Sequence, residues 1–132
     1  MTTPDGAPAD GSAADSGDAS ACLFCRIAAG ELPADRLLED DLVVAIRDIA
    51  PRAPTHILLI PRRHVASAAE LTEGDGPLLG RLFGVAADLA RSEGISDGGY
   101  RLVSNVGRWG GQTVDHLHLH LMGGRAFDWP PG

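Results

Sequence analysis

Apolar residues recur along the chain at two periods, and the changes between them mark out the elements. In GPLLGRLFGVAADLARSEG, residues 76–94, Leu78, Leu79, Leu82, Val85, Ala86 and Leu89 fall at helical spacing. Pro77 stands near the start and Gly94 just past the end, where each residue suits a helix terminus. This is the one long helix the pattern predicts. CLFCRIAAGELPADR, residues 22–36, predicts a short helix with Leu23, Phe24 and Ile27 on its inner face, stopped by Gly30 and then Pro33. LLEDDLVVAIRD reads as two short strands around the turn Glu39-Asp40-Asp41, and GYRLVSNVG as another strand. Ile57 to Ile60 are apolar on successive positions, so that strand is expected to be buried on both faces, centrally in a sheet that something covers. With the segment DHLHLHLMGG, residues 115–124, about five strands accompany one long and one short helix. The expected fold is an α+β domain on an antiparallel sheet.

Composition narrows the picture. The 132 residues are enough for one domain with an ordinary core. Residues 1–21 lack any aromatic or branched aliphatic side chain and are expected to be a disordered acidic tail, leaving 22–132 as the folded domain. Removing Asp5, Asp10, Asp15 and Asp18 from the formal charge of -7 leaves -3 on that domain, too mildly acidic for general affinity to nucleic acid or membranes. All eleven basic residues are Arg, so lysine chemistry is excluded. No basic leader or long apolar run is present, which makes a cytoplasmic protein the expectation. In that compartment Cys22 and Cys25 read as a metal site or a redox dithiol rather than a structural disulfide.

His116, His118 and His120 alternate with Leu117, Leu119 and Leu121. On a strand the leucines enter the core and the imidazoles stand on the opposite, open face at intervals of roughly 7 Å. A register slip would bury the histidines and expose the leucines, so the register is fixed. Three readings follow. The histidines could be polar residues on a solvent face. They could bind a catalytic zinc, although three on a straight strand span about 14 Å and a third ligand would have to come from elsewhere. Or they could work on phosphorus beside the loop GRWGGQT, where Gly107, Gly110 and Gly111 let N–H groups approach an anion and Gln112 and Thr113 add donors. A neutral imidazole nitrogen is a competent nucleophile toward phosphorus at pH 7.

The repeat His116-Leu-His118-Leu-His120-Leu-Met resembles the signature of the histidine triad (HIT) nucleotide-binding family. RDIAPRAPTHILLIPRRH, YRLVSNVG, GGQTVDHLHLHLMGGR and the terminal WPPG resemble its Hint branch, in order over residues 22–132. The resemblance implies a homodimer whose two sheets join into one, binding a purine nucleotide (AMP or GMP) on each histidine face and splitting nucleoside phosphoramidates. It implies His118 as the nucleophile that becomes nucleotidylated, with His120 and His56 as catalytic neighbours. It implies Asn105, Gly111, Gln112 and Thr113 around the phosphate and Asp48 on the ribose hydroxyls. Phe24, Ile27 and Ile49 would form the base pocket, and Trp129 would lie near the partner's site. Asp48 could instead cap a turn before Pro51, Trp129 could fray as chain ends do, and Phe24 with Ile49 could be plain core.

Many bacterial relatives resemble this chain in carrying the cysteine pair, though some of the branch lack it, and the likeness implies one structural zinc on Cys22, Cys25, His64 and His116, with no metal needed for the chemical step. Arg108-Trp109 and Thr113 depart from the small or acidic residues and the serine usual in the branch, which puts the leaving group in question rather than the reaction. Cleavage of dinucleoside polyphosphates, or nucleotide binding without turnover, are the alternative functions.

Overall fold

The computed structural model describes residues 21–132. The expected acidic tail falls, apart from Ala21, outside the described residues. In chain order come α1 (Leu23–Ala28), β1 (Arg36–Glu39), β2 (Val43–Arg47), β3 (Thr55–Pro61), two short 3-10 turns, α2 (Gly76–Ser92), β4 (Tyr100–Val103) and β5 (Leu119–Gly123). The strands form one five-stranded sheet in the order β1-β2-β3-β5-β4. Every neighbouring pair is antiparallel.

The pairing shows why Thr55–Pro61 reads as continuously apolar. Val44 pairs with Ile60 and Ile46 with Leu58, and these residues share one core with Phe24, Ile27 and Ala28 of α1. Val43, Ala45, Ile57 and Leu59 point the other way and join Leu82, Val85, Ala86 and Leu89 of α2. Alternate residues therefore enter two cores, and all seven residues of β3 are buried. Leu117, Leu119 and Leu121 enter the α2 core, as their alternation predicts.

The opposite side departs from the expected open face. His116 is 0% exposed and His118 6% exposed. Only His120 is partly open. The cause is α1, whose Phe24 ring meets His116 and His118 edge-on. The regular strand also begins only at Leu119, so His116 and His118 lie on the irregular approach to it. His118 and His120 have ring centroids 5.0 Å apart, closer than a straight strand gives. Leu23, expected on the inner face of α1, is half exposed.

A six-residue helix is too short to hold itself. The Cys22 sulfur accepts from the Cys25 amide at its start. At its end Arg36 donates to the Ile27 carbonyl and Arg62 to the Ala28 carbonyl, tying α1 to the sheet. At the far end of the domain Arg47 makes a two-pronged pair with Glu93, joining β2 to the end of α2.

Leu121 is fully buried at the centre of the α2 core. Leu121→Ala should lower unfolding free energy by about 2–5 kcal/mol in urea titration, whereas Phe83→Ala, on the exposed side of α2, should change it little.

Candidate active site

Two clusters of polar side chains gather around the histidines. The first joins Asp48, His56 and His120 beside His118. The second joins Cys22, Cys25, His64 and His116.

The main chain fixes the protons of His56 and His118, and His56 passes the choice on to His120. The Arg52 amide donates to His56 Nδ1 at 3.0 Å, so neutral His56 carries its proton on Nε2. That Nε2 lies 2.9 Å from His120 Nδ1 and donates to it. His120 is thereby left with its own proton on Nε2. His118 Nδ1 donates to the His116 carbonyl at 2.7 Å, which leaves His118 Nε2 as an unprotonated lone pair. A metal bridging Asp48, His56 and His120 would compete with the proton that Arg52 places on His56 Nε2.

Electrostatics keep these rings neutral. Burial pushes His118 below the ordinary histidine value, against the His116 carbonyl and Asp48, which pull it up. Burial, with His118 and His56 as neighbours, pushes His120 down to about 4. Burial also lowers His56, with Asp48 opposing. Asp48 does two things. Its Oδ1 accepts from the Ala50 amide, closing the turn before Pro51, and its Oδ2 lies 3.4 Å from His56 Nε2.

The second cluster has the donor set and spacing of a metal site. His116 Nδ1 lies 3.2 Å from Cys22 Sγ and 3.5 Å from Cys25 Sγ, and His64 Nδ1 lies 3.2 Å from both Cys25 Sγ and His116 Nδ1. Ligands at zinc distances stand about 3.3–3.8 Å apart along a tetrahedral edge. His116 Nε2 donates to the Pro61 carbonyl at 2.8 Å, which turns its Nδ1 lone pair into the cluster. Without a cation, burial and Cys22 push the Cys25 thiol up to about 12, so a positive ion is what would hold both sulfurs as thiolates. Both cysteines are free of disulfide.

The glycine-rich loop is a rigid frame. Asn105 Nδ2 donates to the Gly110 carbonyl, and Gln112 Oε1 accepts from the Gly107 amide. Gln112 Nε2 donates to the Ala66 and Val114 carbonyls. The Gln112 side chain thus spends its hydrogen bonds on the main chain. Gly107 and Gly111 adopt positive φ, and a Cβ on Gly110 would collide with the Val106 carbonyl. Thr113 is exposed beside this frame, and Trp109 at its tip is 96% exposed.

Of the residues expected at the base pocket, Phe24 and Ile27 are buried on the inner face of α1, but Ile49 is 99% exposed and does not pack with them. Trp129 is exposed as well. The residues missed from sequence are Arg52, Pro61 and the His116 main chain, which set the tautomers through amides and carbonyls. A side-chain pattern carries no signal for such groups.

A family model for the HIT domain matches residues 29–127. The chain belongs to the HIT family. Within this family it is 48% identical over 103 residues to purine nucleoside phosphoramidase of Escherichia coli, covering 78% of this chain and 87% of that protein. A HIT family hydrolase from Legionella pneumophila superposes with a TM-score of 0.83 at 52% identity, covering 84% of this chain and 99% of that one. A zinc-bound histidine triad family protein from Mycobacterium smegmatis gives a TM-score of 0.71 at 30% identity, covering 85% and 81%. The HIT match begins at Ala29, so Cys22 and Cys25 precede it. Among the described residues, no helix is long and apolar enough to cross a membrane.

The depressed His120 value fixes the sign of a pH effect. The neutral ring contributes its full stability above the unfolded value of 6.5, and that contribution is lost as pH falls toward about 4. Asp48, His56 and His118 face it throughout. Urea unfolding at pH 7, 5.5 and 4 should show stability falling on the order of 1–3 kcal/mol from this residue, with a shallower fall in His120→Gln.

Proposed function

We propose that this chain hydrolyses purine nucleoside 5'-phosphoramidates, with AMP or GMP as the nucleotide part, through a nucleotidyl-histidine on His118. One observation carries the reading: His118 is a buried, neutral imidazole whose Nδ1 proton is committed to the His116 carbonyl, leaving Nε2 free to attack. The identity to the Escherichia coli phosphoramidase supports the substrate class.

In the first step His118 Nε2 attacks the α-phosphorus and the P–N bond breaks, its electron pair going to the leaving amine. The amine nitrogen takes up a proton from solvent on the open side of His120, whose Nε2–H hydrogen-bonds the departing group and stays on the neutral ring. In the second step water attacks the same phosphorus, the N–P bond to His118 breaks with its electron pair returning to Nε2, and the water proton passes to solvent. The products are the amine and the nucleoside monophosphate. His56 acts on His120 by holding its Nδ1 as an acceptor. Asp48 is assigned to the ribose hydroxyls, and Phe24, Ile27 and Ile49 to the base; an apolar side chain as exposed as Ile49 suits a surface that ligand covers. Asn105, Gly111, Gln112 and Thr113 are assigned to the phosphate side, with Asn105 and Gln112 shaping the loop and Thr113 free to donate. β4 is a sheet edge, and pairing there with a second copy would make the homodimer, bringing Trp129 toward the partner's site. The setting is cytoplasmic, which suits two unpaired thiols.

Cys22, Cys25, His64 and His116 are assigned a zinc ion, which supplies the positive charge that lets two thiolates pack together. Purified chain should carry one zinc per molecule by elemental analysis, and Cys25→Ser should lose it.

Intact mass after rapid quench with adenosine 5'-phosphoramidate tests the chemistry. The wild type should show one adenylyl adduct, and His118→Asn should show none, with kcat down by about 10³-fold or more and nucleotide binding retained. Wild-type turnover without an adduct, or no turnover at all, overturns the reading.

A further inference from the structure

The metal-ligand cluster and the nucleophile share two connections. The first runs through the main chain. His116 has both ring nitrogens engaged, Nδ1 among the Cys22, Cys25 and His64 donors and Nε2 on the Pro61 carbonyl, while its own carbonyl takes the His118 Nδ1 proton. Whatever fixes the His116 ring therefore fixes the acceptor that selects the His118 tautomer. The second runs through α1. Cys22 caps this helix and Cys25 lies one turn on, so the two cysteines flank Phe24 in sequence and tie its helix to the cluster. The Phe24 ring stands edge-on to His116 at 6.0 Å and to His118 at 5.0 Å between centroids, and it walls the nucleophile in. A helix of six residues depends on such anchors for its place on the sheet.

We propose that the Cys22–Cys25–His64–His116 metal set is a positioning centre for His118, acting through the His116 carbonyl and the Phe24 ring. Cys22, Cys25 and His64 are positioning residues: none shares a hydrogen bond with His118, yet together they hold its tautomer and its wall. Without the metal, the His116 ring keeps only the Pro61 carbonyl, and its own carbonyl, on a peptide held otherwise by the Leu117 amide on the Val65 carbonyl, is held less firmly toward His118. The His118 proton then exchanges between Nδ1 and Nε2. A ring with its proton on Nε2 presents no lone pair on that atom to phosphorus. The tautomer part stands independently, while its kinetic consequence rests on the proposed role of His118 as nucleophile.

The test uses the full chain with histidine side chains labelled with ¹⁵N, as the zinc-loaded protein, after stripping with chelator, and after reloading with zinc. The loaded protein should give His118 shifts of one fixed tautomer, protonated on Nδ1. The stripped protein should give averaged shifts, while the amide signals of Ile57 and Leu121 in the sheet stay in place, and reloading should restore the fixed tautomer. His64→Ala should behave like the stripped chain, and His64→Cys, which keeps four donors, should behave like the loaded wild type. In rapid-quench mass measurements at saturating nucleotide the first-order rate of adduct formation should fall about 10–100-fold in the stripped chain and in His64→Ala. An unchanged tautomer on stripping overturns the proposal. Loss of the Leu121 amide signal together with the tautomer also overturns it, in favour of a centre that only holds the fold. If no adduct forms even in loaded wild type, the phosphoramidase reading fails while the tautomer measurement still decides the positioning role.

Discussion

An imidazole taken out of water needs an acceptor for its N–H and something to face its lone pair, and this requirement organises the centre of the molecule. His116, His118 and His56 are buried on one side of the sheet, and each meets the requirement with a main-chain group: the Pro61 carbonyl, the His116 carbonyl and the Arg52 amide. Those groups are fixed by β3, by the approach to β5 and by the turn that Asp48 closes. The sheet is thus the device that assigns protons. Burial keeps the rings neutral, and the backbone decides which nitrogen of each ring is left bare.

The same sheet has two coverings of unequal strength. The α2 side is a conventional core, with Leu82, Val85 and Leu89 on Val43, Leu59 and Leu121. The α1 side is a short helix over histidines, held by a sulfur cap at one end and by Arg36 and Arg62 at the other. The buried histidines lie under the shorter cover.

Much of this was legible in the residues. The period of Leu78 to Leu89 marked α2, the unbroken apolar run Ile57–Ile60 marked a strand buried on both faces, and Leu117, Leu119 and Leu121 marked the core side of the last strand. The enclosure of the histidines was not legible. It depends on a helix of six residues folding back over a strand more than ninety positions away, and alternation along that strand cannot distinguish an open face from one that is capped. The clustering of Cys22, Cys25, His64 and His116 followed from resemblance, since their spacing alone left metal and redox readings open. The tautomers were out of reach for a simpler reason: every residue has a carbonyl and every one but proline an amide N–H, so composition never singles out the Arg52 amide or the Pro61 carbonyl.

The glycine-rich loop separates its frame from its tip. Gln112 joins Gly107, Ala66 and Val114, and Asn105 closes the remaining span onto Gly110, so the base of the loop is cross-braced from within. Arg108 and Trp109 stand outside that bracing, in solvent. The Arg108 carbonyl accepts from the Gly111 amide, but the two side chains carry no such bond among the described residues: Arg108 and Trp109 form a two-residue cassette in which a designer could exchange charge and bulk while Thr113 and the histidines behind it keep their positions.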